Sequence, residues 1–350
     1  MTKKTISLFL IPSLIAAAVC MPMPQADASV IGIEPYITAR SLVVYDPSQH
    51  RILCSKNSNV RRPLASTTKV MTAMVVLDHL KLNDVITVRK DTTYVPRTKI
   101  FLHPGERFRV KDLVKALFIS SANDVAVVLA HHISGSERDF AVLMNGRARR
   151  IGARNTHFVN PHGLPSDEHY STSYDLALIM NEARKYAFIM QALAIKKTTI
   201  RNLQGRRFFL KNHNKMLWRD SRPVIGKTGY TRKAMHCFVG RINYRKRDVM
   251  VAIMGSVRPW HDLKVLLDFY SRVNFKNEIN LIQENKKHWD RRKLYQFESA
   301  LRKAGQHPGR VDGIVTTQTV ASIRAFQKKH GISQTGFIGP QTAGQLKKFT

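Results

Sequence analysis

The sequence has little cysteine. Three of its 350 residues are cysteines, and none of them stands in a Cys-x-x-Cys pair. This scarcity excludes a small disulfide-rich scaffold and a cysteine-based zinc site. Cys54 and Cys237 could either pair in an oxidising compartment or remain as two buried thiols.

Long apolar runs are also scarce. The main one, residues 5–19, follows a basic start and is too short to span a bilayer. An Ala-Asp-Ala sequence at residues 26–28 offers a small-x-small cleavage site, so residues 1–28 are predicted to be a secretory signal. A lipoprotein acylated at Cys20 is the alternative, although Val19 is a poor match to the small residue expected there. The mature chain is expected in the periplasm or cell-wall space, without a stable membrane span.

Acidic residues are the third shortage. The chain has 24 aspartates and glutamates against 57 lysines and arginines, which gives a formal net charge of +33. Such a basic balance predicts an anionic partner. Export and the absence of a recognition motif argue against nucleic acid. Anionic lipid, lipopolysaccharide or a cell-wall polymer is the expected partner of an exported protein.

Strand-like segments lie at both ends of the first 275 residues, with helical segments between them. The segments that read as strands are 41–46, 51–54, 224–231, 237–242 and 249–255. Those with helical spacing are 111–118, 138–151, 174–185 and 261–273. This order predicts an α+β domain with an antiparallel sheet packed with helices.

The stretch around Ser66 reads as the start of another apolar helix. Lys69 follows Ser66 by about one turn, so an amine is predicted to lie beside the hydroxyl. A serine hydroxyl becomes a nucleophile when a base removes its proton, and a lysine can be that base if its pKa is lowered. Alone the pattern is a weak signal, because a capping serine followed by a solvated lysine looks the same.

Two further motifs accompany this pair. Ser121-Ala122-Asn123 falls on a turn between predicted helices, and Lys227-Thr228-Gly229 begins a predicted strand. Together with Ser66 and Lys69, and in that order, they mark penicillin-recognising serine acyltransferases. Because a Phe-x-Asn-Pro-His-Gly-Leu segment and further stretches also match, the chain resembles the D-alanyl-D-alanine carboxypeptidases among the low-molecular-weight penicillin-binding proteins.

This resemblance implies a β-lactamase/transpeptidase-like domain and a catalytic role for three residues. Ser66 attacks the carbonyl between two D-alanines, Lys69 is the acylation base, and Ser121 relays a proton toward the leaving amine. The implied chemistry uses no metal and no organic cofactor. β-Lactams are the implied covalent inhibitors.

The resemblance also implies a set of substrate-binding residues. Asn123 holds the lysine and the substrate amide, while Lys227 and Thr228 bind the terminal carboxylate. Gly229 lets the substrate backbone lie flat on the strand edge. The backbone N–H groups of Tyr230 and of the nucleophile form the oxyanion hole.

Other matches and departures refine this expectation. His162 and Asp175 match family positions and are predicted to be structural, as a loop hydrogen bond and a helix-end carboxylate. Residues 234–236, Ala-Met-His, replace the usual Ala-Gly step and are expected to narrow the cleft. A β-lactamase is disfavoured, since the second motif is Ser-Ala-Asn and a Glu-x-x-Leu-Asn segment is missing.

The tail resembles a three-helix peptidoglycan-binding domain. It holds a small internal repeat, in which Asp312-Gly313 and Thr335-Gly336 begin similar loops. The tail is expected to hold the protein on its polymer, and a bundle that only adds stability is the alternative. The predicted division is a signal at 1–28, the main domain at 29–275, a linker at 276–290 and the tail at 291–350.

The resemblance and the complete set of motifs lead to three alternative functions. The first is a carboxypeptidase that removes the terminal D-alanine from peptidoglycan pentapeptide stems. The second is an endopeptidase of the same fold that cuts D-alanyl-meso-diaminopimelate cross-links. The third is a wall-binding protein with little turnover, against which the complete set of motif residues argues. The oligomeric state is left open.

Overall fold

The computed structural model describes residues 37–96, 98–219, 224–244, 247–272 and 275–350. The predicted signal at residues 1–28, including Cys20, lies outside the described residues. Among the helices that are described, none is both long enough and apolar enough to cross a bilayer.

Antiparallel strands organise the first domain. The strands are β1 (Ser41–Asp46), β2 (Arg51–Lys56), β3 (Val85–Thr87), β4 (Arg107–Arg109), β5 (Lys197–Arg201), β6 (Arg207–Lys211), β7 (Val224–Thr231), β8 (Met235–Tyr244) and β9 (Arg247–Ser256). The main sheet has the order β2-β1-β9-β8-β7, which makes β7 an edge strand. β3 pairs with β4 and β5 with β6 in two small hairpin sheets. The predicted α+β class with an antiparallel sheet is confirmed.

Helices cover both faces of the main sheet and form the tail. They are α1 (Lys69–His79), α2 (Val110–Ile119), α3 (Asn123–Ser134), α4 (Glu137–Ile151), α5 (Ser173–Ala183), α6 (Ala187–Ala194), α7 (Met216–Arg219), α8 (Pro259–Arg272), α9 (Phe275–His288), α10 (Arg291–Lys303), α11 (Thr317–Lys329) and α12 (Pro340–Leu346). Val43 and Tyr45 of β1 belong to the apolar cluster formed with α1 to α6. Leu42 and Val44 belong to a second cluster with Leu263 of α8. Since side chains alternate across a strand, this two-sided burial explains the uninterrupted apolar run of β1.

The two described cysteines lie on opposite faces of the main sheet. Cys54 belongs to the cluster beneath α8, whereas Cys237 belongs to the larger cluster on the other face. Both are buried and reduced, and burial raises the pKa of the Cys237 thiol to about 12. Of the two alternatives from the sequence, the structure therefore has two buried thiols.

Some elements differ from the sequence-based expectation. The helix expected at Ser66 begins at Lys69, after a 3-10 turn at Ala65–Thr68. The helix expected at residues 174–185 spans Ser173–Ala183, and the hydroxyl of Thr172 caps it by accepting a hydrogen bond from the backbone N–H of Asp175. The sequence does not predict α6 or the β5–β6 hairpin. Of the five residues of β5, Ile200 is the buried one, so the sequence of this strand shows little of the apolar alternation from which a strand is predicted.

The tail has an apolar core of its own. Phe297 of α10, Ile323 and Phe326 of α11, and Leu346 of α12 are buried together. The three-helix arrangement expected from the sequence is therefore present.

The predicted linker is largely helical, since α9 spans most of residues 276–290. Asn285 in this helix is fully buried. Its side-chain amide donates to Gly336 O at 3.2 Å, and its carbonyl oxygen accepts from the N–H of Ile338 at 2.9 Å. The second half of the predicted linker therefore packs on the tail.

This packing predicts that Asn285→Ala destabilises the tail. The change leaves the buried N–H of Ile338 and the carbonyl of Gly336 without these partners, which costs about 1–3 kcal/mol. Hydrogen-exchange mass spectrometry should show faster exchange in tail peptides. Gln283→Ala, at an exposed position of the same helix, is the control. Equal exchange in both variants would contradict the proposed packing.

Candidate active site

Ser66 and Lys69 are brought together by the 3-10 turn that precedes α1. Ala65 at the start of the turn has a φ of +48°, which is unusual for a residue with a side chain. Ser66 Oγ lies 3.0 Å from Lys69 Nζ, so the two groups are in direct hydrogen-bond contact. The predicted amine–hydroxyl pair is present, although the turn between them is tighter than an α-helix.

Lys69 is fully buried among neutral oxygens. Its Nζ is 2.7 Å from Asn123 Oδ1 and 2.7 Å from the carbonyl oxygen of His162. Burial, and then the positive charge of Lys227, lower its pKa well below the ordinary value. A neutral amine can donate to the two carbonyl oxygens and accept a proton from Ser66 through its lone pair. The geometry thus suits a general base.

The second motif lies in the turn between α2 and α3. Ser121 is buried and has a φ of +57°, and Asn123 opens α3 two residues later. The N–H of Asn123 donates to Thr98 O, and its side-chain amide donates to Pro96 O at 3.3 Å. These bonds fix the amide so that its oxygen faces Lys69.

A loop on the other side of the nucleophile supplies the His162 carbonyl. Asn160 Oδ1 accepts the N–H groups of His162 and Gly163, and Thr72 donates to Pro161 O at 2.6 Å. A Cβ on Gly163 would lie 1.9 Å from Ala65 O, so the loop can approach the Ser66 turn this closely only with a glycine at this position.

Two residues of this region were missed by the sequence reasoning. Glu137 Oε2 lies 3.0 Å from His162 Nε2, and His169 Nε2 lies 2.8 Å from the hydroxyl of Thr68. Burial lowers the pKa of His169 to about 3, so this ring stays neutral. Glu137 is the first residue of α4, and His169 lies in a loop. Neither position belongs to a periodic sequence pattern that would have indicated a role in the site.

The third motif lies on the edge strand β7. Lys227 is fully buried, burial lowers its pKa to about 7, and its Nζ donates to Thr228 O at 2.8 Å. A Cβ built on Gly229 would lie 2.8 Å from Ser66 N. The glycine is thus required by the protein's own turn, a reason that the sequence reasoning did not foresee. Tyr230 follows at the strand's exposed end.

The unusual Ala-Met-His segment lies beside this exposed end. Ala234 is buried, and Met235 has a φ of +57°. The His236 ring stacks against the Tyr230 ring, with 4.6 Å between their centroids. The departure therefore places an aromatic pair at the rim of the strand.

The structural role expected for Asp175 matches its contacts. Its carboxylate, on the first turn of α5, accepts the N–H of Asn155 at 2.7 Å and the hydroxyl of Thr156 at 2.7 Å. His162 uses Nδ1 to accept the Leu164 N–H within its own loop. Of the described residues, no group of three His, Cys, Asp or Glu side chains is arranged to hold a metal ion.

The close approach of β7 to the nucleophile predicts that Gly229→Ala slows acylation by a β-lactam. A Cβ that pushes the Ser66 turn away by about 1 Å is expected to cost about 100-fold in rate. A fluorescent penicillin measures the rate by gel. Gly146→Ala is the control, since a Cβ there meets only arginine ends at 3.7 Å and beyond. Wild-type labelling of Gly229→Ala would refute the packing argument.

The sequence matches two known protein families. A profile of the D-alanyl-D-alanine carboxypeptidase family matches residues 29–257, and a profile of a peptidoglycan binding domain matches residues 291–346. The matches fall on the main domain and on the tail.

Individual relatives agree with these profiles. The D-alanyl-D-alanine carboxypeptidase DacF of Bacillus subtilis is 34% identical over 63% of this chain. The matched region covers 58% of the length of DacF. The D-alanyl-D-alanine endopeptidase of Escherichia coli is 30% identical over 73% of this chain and 84% of its own length. The crystal structure of a D-alanyl-D-alanine carboxypeptidase from Mycobacterium tuberculosis superposes with a TM-score of 0.65 and 28% identity, over 72% of this chain and 96% of that one.

The family profile covers well over half of the chain, and the superposition places the same fold over the main domain. The chain belongs to the D-alanyl-D-alanine carboxypeptidase family.

Proposed function

We propose that this protein is a serine carboxypeptidase that removes the terminal D-alanine from peptidoglycan pentapeptide stems. The observation that carries the proposal is the contact between Ser66 and the fully buried Lys69. A lysine with a lowered pKa beside a serine is a base–nucleophile pair. Family membership supports the substrate class.

In the proposed acylation step, Ser66 Oγ bonds to the carbonyl carbon of the penultimate D-alanine. Its proton passes to Lys69 Nζ and then, through Ser121, to the leaving nitrogen as the C–N bond breaks. The terminal D-alanine departs, and an ester remains on Ser66. Water hydrolyses this ester and restores the serine hydroxyl.

The strand β7 supplies the proposed binding groups. Lys227 and Thr228 bind the terminal carboxylate, because a fixed cation with a hydroxyl donor suits that group. The N–H groups of Ser66 and Tyr230 form the oxyanion hole, which the tight packing of Gly229 against the Ser66 turn supports. Asn123 holds both Lys69 and the substrate amide.

An endopeptidase that cuts cross-links is the second candidate. The E. coli D-alanyl-D-alanine endopeptidase is 30% identical to this chain over 84% of its own length, so relatives of this chain include an endopeptidase as well as carboxypeptidases. Ser66 and Lys69 would act identically on either bond. A wall-binding protein without turnover is disfavoured, since the buried base contacts the nucleophile.

We further propose that the protein is exported through the signal at residues 1–28 and acts on the wall. The main domain (29–275) would carry the chemistry, and the tail (291–350) would hold it on the polymer, with residues 276–290 between them. The net charge of +33 supports an anionic polymer as partner. N-terminal sequencing of the exported protein tests the signal, and the expected first residue is Ser29.

Defined muropeptides test the activity. Pentapeptide monomers should lose one alanine in mass spectra, and Ser66→Ala should abolish the loss, because the ester cannot form. Conversion of cross-linked dimers to monomers, with pentapeptides left intact, would favour the endopeptidase. If neither substrate changes, the proposed activity is wrong.

The two lysines predict a bell-shaped pH profile for kcat/KM on a D-Ala-D-Ala peptide. The rate rises with pH while Lys69 loses its proton and becomes a base. It falls above about pH 7, where Lys227 loses the charge that binds the carboxylate. Lys227→Arg keeps that charge and should remove the fall. A fall that persists unchanged in Lys227→Arg would assign it to another group.

A further inference from the structure

The His162 carbonyl, which contacts the proposed base, is joined to helix α4 through the His162 side chain. The carbonyl oxygen lies 2.7 Å from Lys69 Nζ and accepts a longer bond, at 3.5 Å, from Ser66 Oγ. On the same residue, ring Nε2 lies 3.0 Å from Oε2 of Glu137, the first residue of α4. A single buried residue therefore connects this carboxylate with both members of the base–nucleophile pair.

Both nitrogens of the His162 ring have a partner. Nδ1 accepts the N–H of Leu164 at 3.1 Å, so this nitrogen carries no proton. Burial lowers the pKa of His162, which keeps the ring neutral near neutral pH, and the ring proton is therefore on Nε2. From Nε2 the ring donates this proton to Glu137. Without the carboxylate, the ring would keep one bond instead of two and would be free to change its orientation.

The residue after His162 makes the direction of the carbonyl sensitive to such restraints. The carbonyl belongs to the peptide between His162 and Gly163, and Gly163 has a φ of +90°. Because glycine has wide backbone freedom, this peptide can rotate at a lower cost than one followed by a residue with a side chain. Its N–H donates to Asn160 Oδ1 at 2.7 Å, which fixes one edge of the peptide plane. The bond to Glu137 adds a restraint from the side-chain end of His162.

The start of α4 holds Glu137 in place. Ser136 caps the helix, since its hydroxyl accepts the N–H of Asp139 at 3.0 Å. Gly135, with a φ of +77°, ends α3 directly before this cap. A carboxylate in the first turn also lies at the positive end of the helix dipole, which favours its charged form. A well-ordered helix end thus presents the acceptor to His162.

We propose that Glu137 is a positioning residue for acylation. By holding the His162 ring, it keeps the His162 carbonyl on Lys69 Nζ and so directs the lone pair of the amine toward the Ser66 hydroxyl. The role is geometric, because the bond to Nε2 needs an oxygen acceptor rather than a negative charge. The inference rests on the proposed acyl transfer at Ser66 and adds to it a residue outside the three motifs.

The rate constant for acylation of the full chain by a fluorescent penicillin tests this role. Glu137→Ala should lower the rate constant about tenfold and leave the final labelled fraction complete. The loss is smaller than the roughly 100-fold cost of a shift of about 1 Å, because Asn160 still holds the loop. Glu137→Gln should restore the wild-type rate, since its amide oxygen accepts from Nε2. The control is Arg138→Ala, which removes the exposed neighbouring charge on α4 and should label at the wild-type rate.

Slow labelling of Glu137→Ala, with rescue by Gln and an unaffected control, supports the proposal. A wild-type rate in Glu137→Ala overturns it, and so does an equal loss in Glu137→Gln or in the control. A reduced labelled fraction at an unchanged rate also overturns it, because this result indicates lost folding rather than lost positioning.

A second variant covers the case in which Glu137→Ala does not fold. Glu137→Asp keeps the negative charge at the helix start, but its shorter side chain withdraws the oxygen from Nε2. It should also be acylated more slowly, and a wild-type rate in this variant overturns the proposal. Wild-type protein that is not acylated at Ser66 would overturn the proposed function as well, whereas each of the other negative results spares it.

Discussion

Two buried lysines in one cleft are the constraint on which the active site depends. Lys69 and Lys227 are each fully buried, and their described hydrogen-bond partners are neutral oxygens. Burial disfavours the charged form of each, and the charge of Lys227 further disfavours a charge on Lys69. The fold therefore favours the neutral form of Lys69, which can act as a base, and leaves the charged form of Lys227 to pair with a substrate carboxylate. In the free protein, the packing of the apolar core offsets the free-energy cost of burying the charge of Lys227. A bound substrate carboxylate pairs with this charge and reduces that cost.

Backbone contacts fix the geometry around these lysines. Ala65 and Ser121 both have positive φ, and such conformations persist only where their surroundings enforce them. Gly163 and Gly229 pack against the Ser66 turn from two sides, so closely that a side chain on either glycine would collide with the turn. This packing holds Ala65 in its positive-φ conformation. His169, held neutral by burial, adds a hydrogen bond to the hydroxyl of Thr68 in the same turn.

Periodicity and motif spacing anticipated the outer β-hairpin, the last three strands, most helices and the closeness of Ser66 to Lys69. Spacing could not show that Asn123 meets Lys69, because 54 residues separate them, and there the family resemblance supplied the expectation. Glu137 and His169 escaped notice because long-range hydrogen bonds leave no periodic trace.

The placement of the two cysteines has a consequence for how the protein can be made. Cys54 and Cys237 lie on opposite faces of one sheet, so its backbone separates their sulfur atoms. With a pKa of about 12, the Cys237 thiol has almost no thiolate to attack an oxidant. Folding of the main domain then requires neither an oxidant nor a disulfide isomerase. The same native state is accessible in a reducing bacterial cytoplasm, where preparative expression is simplest.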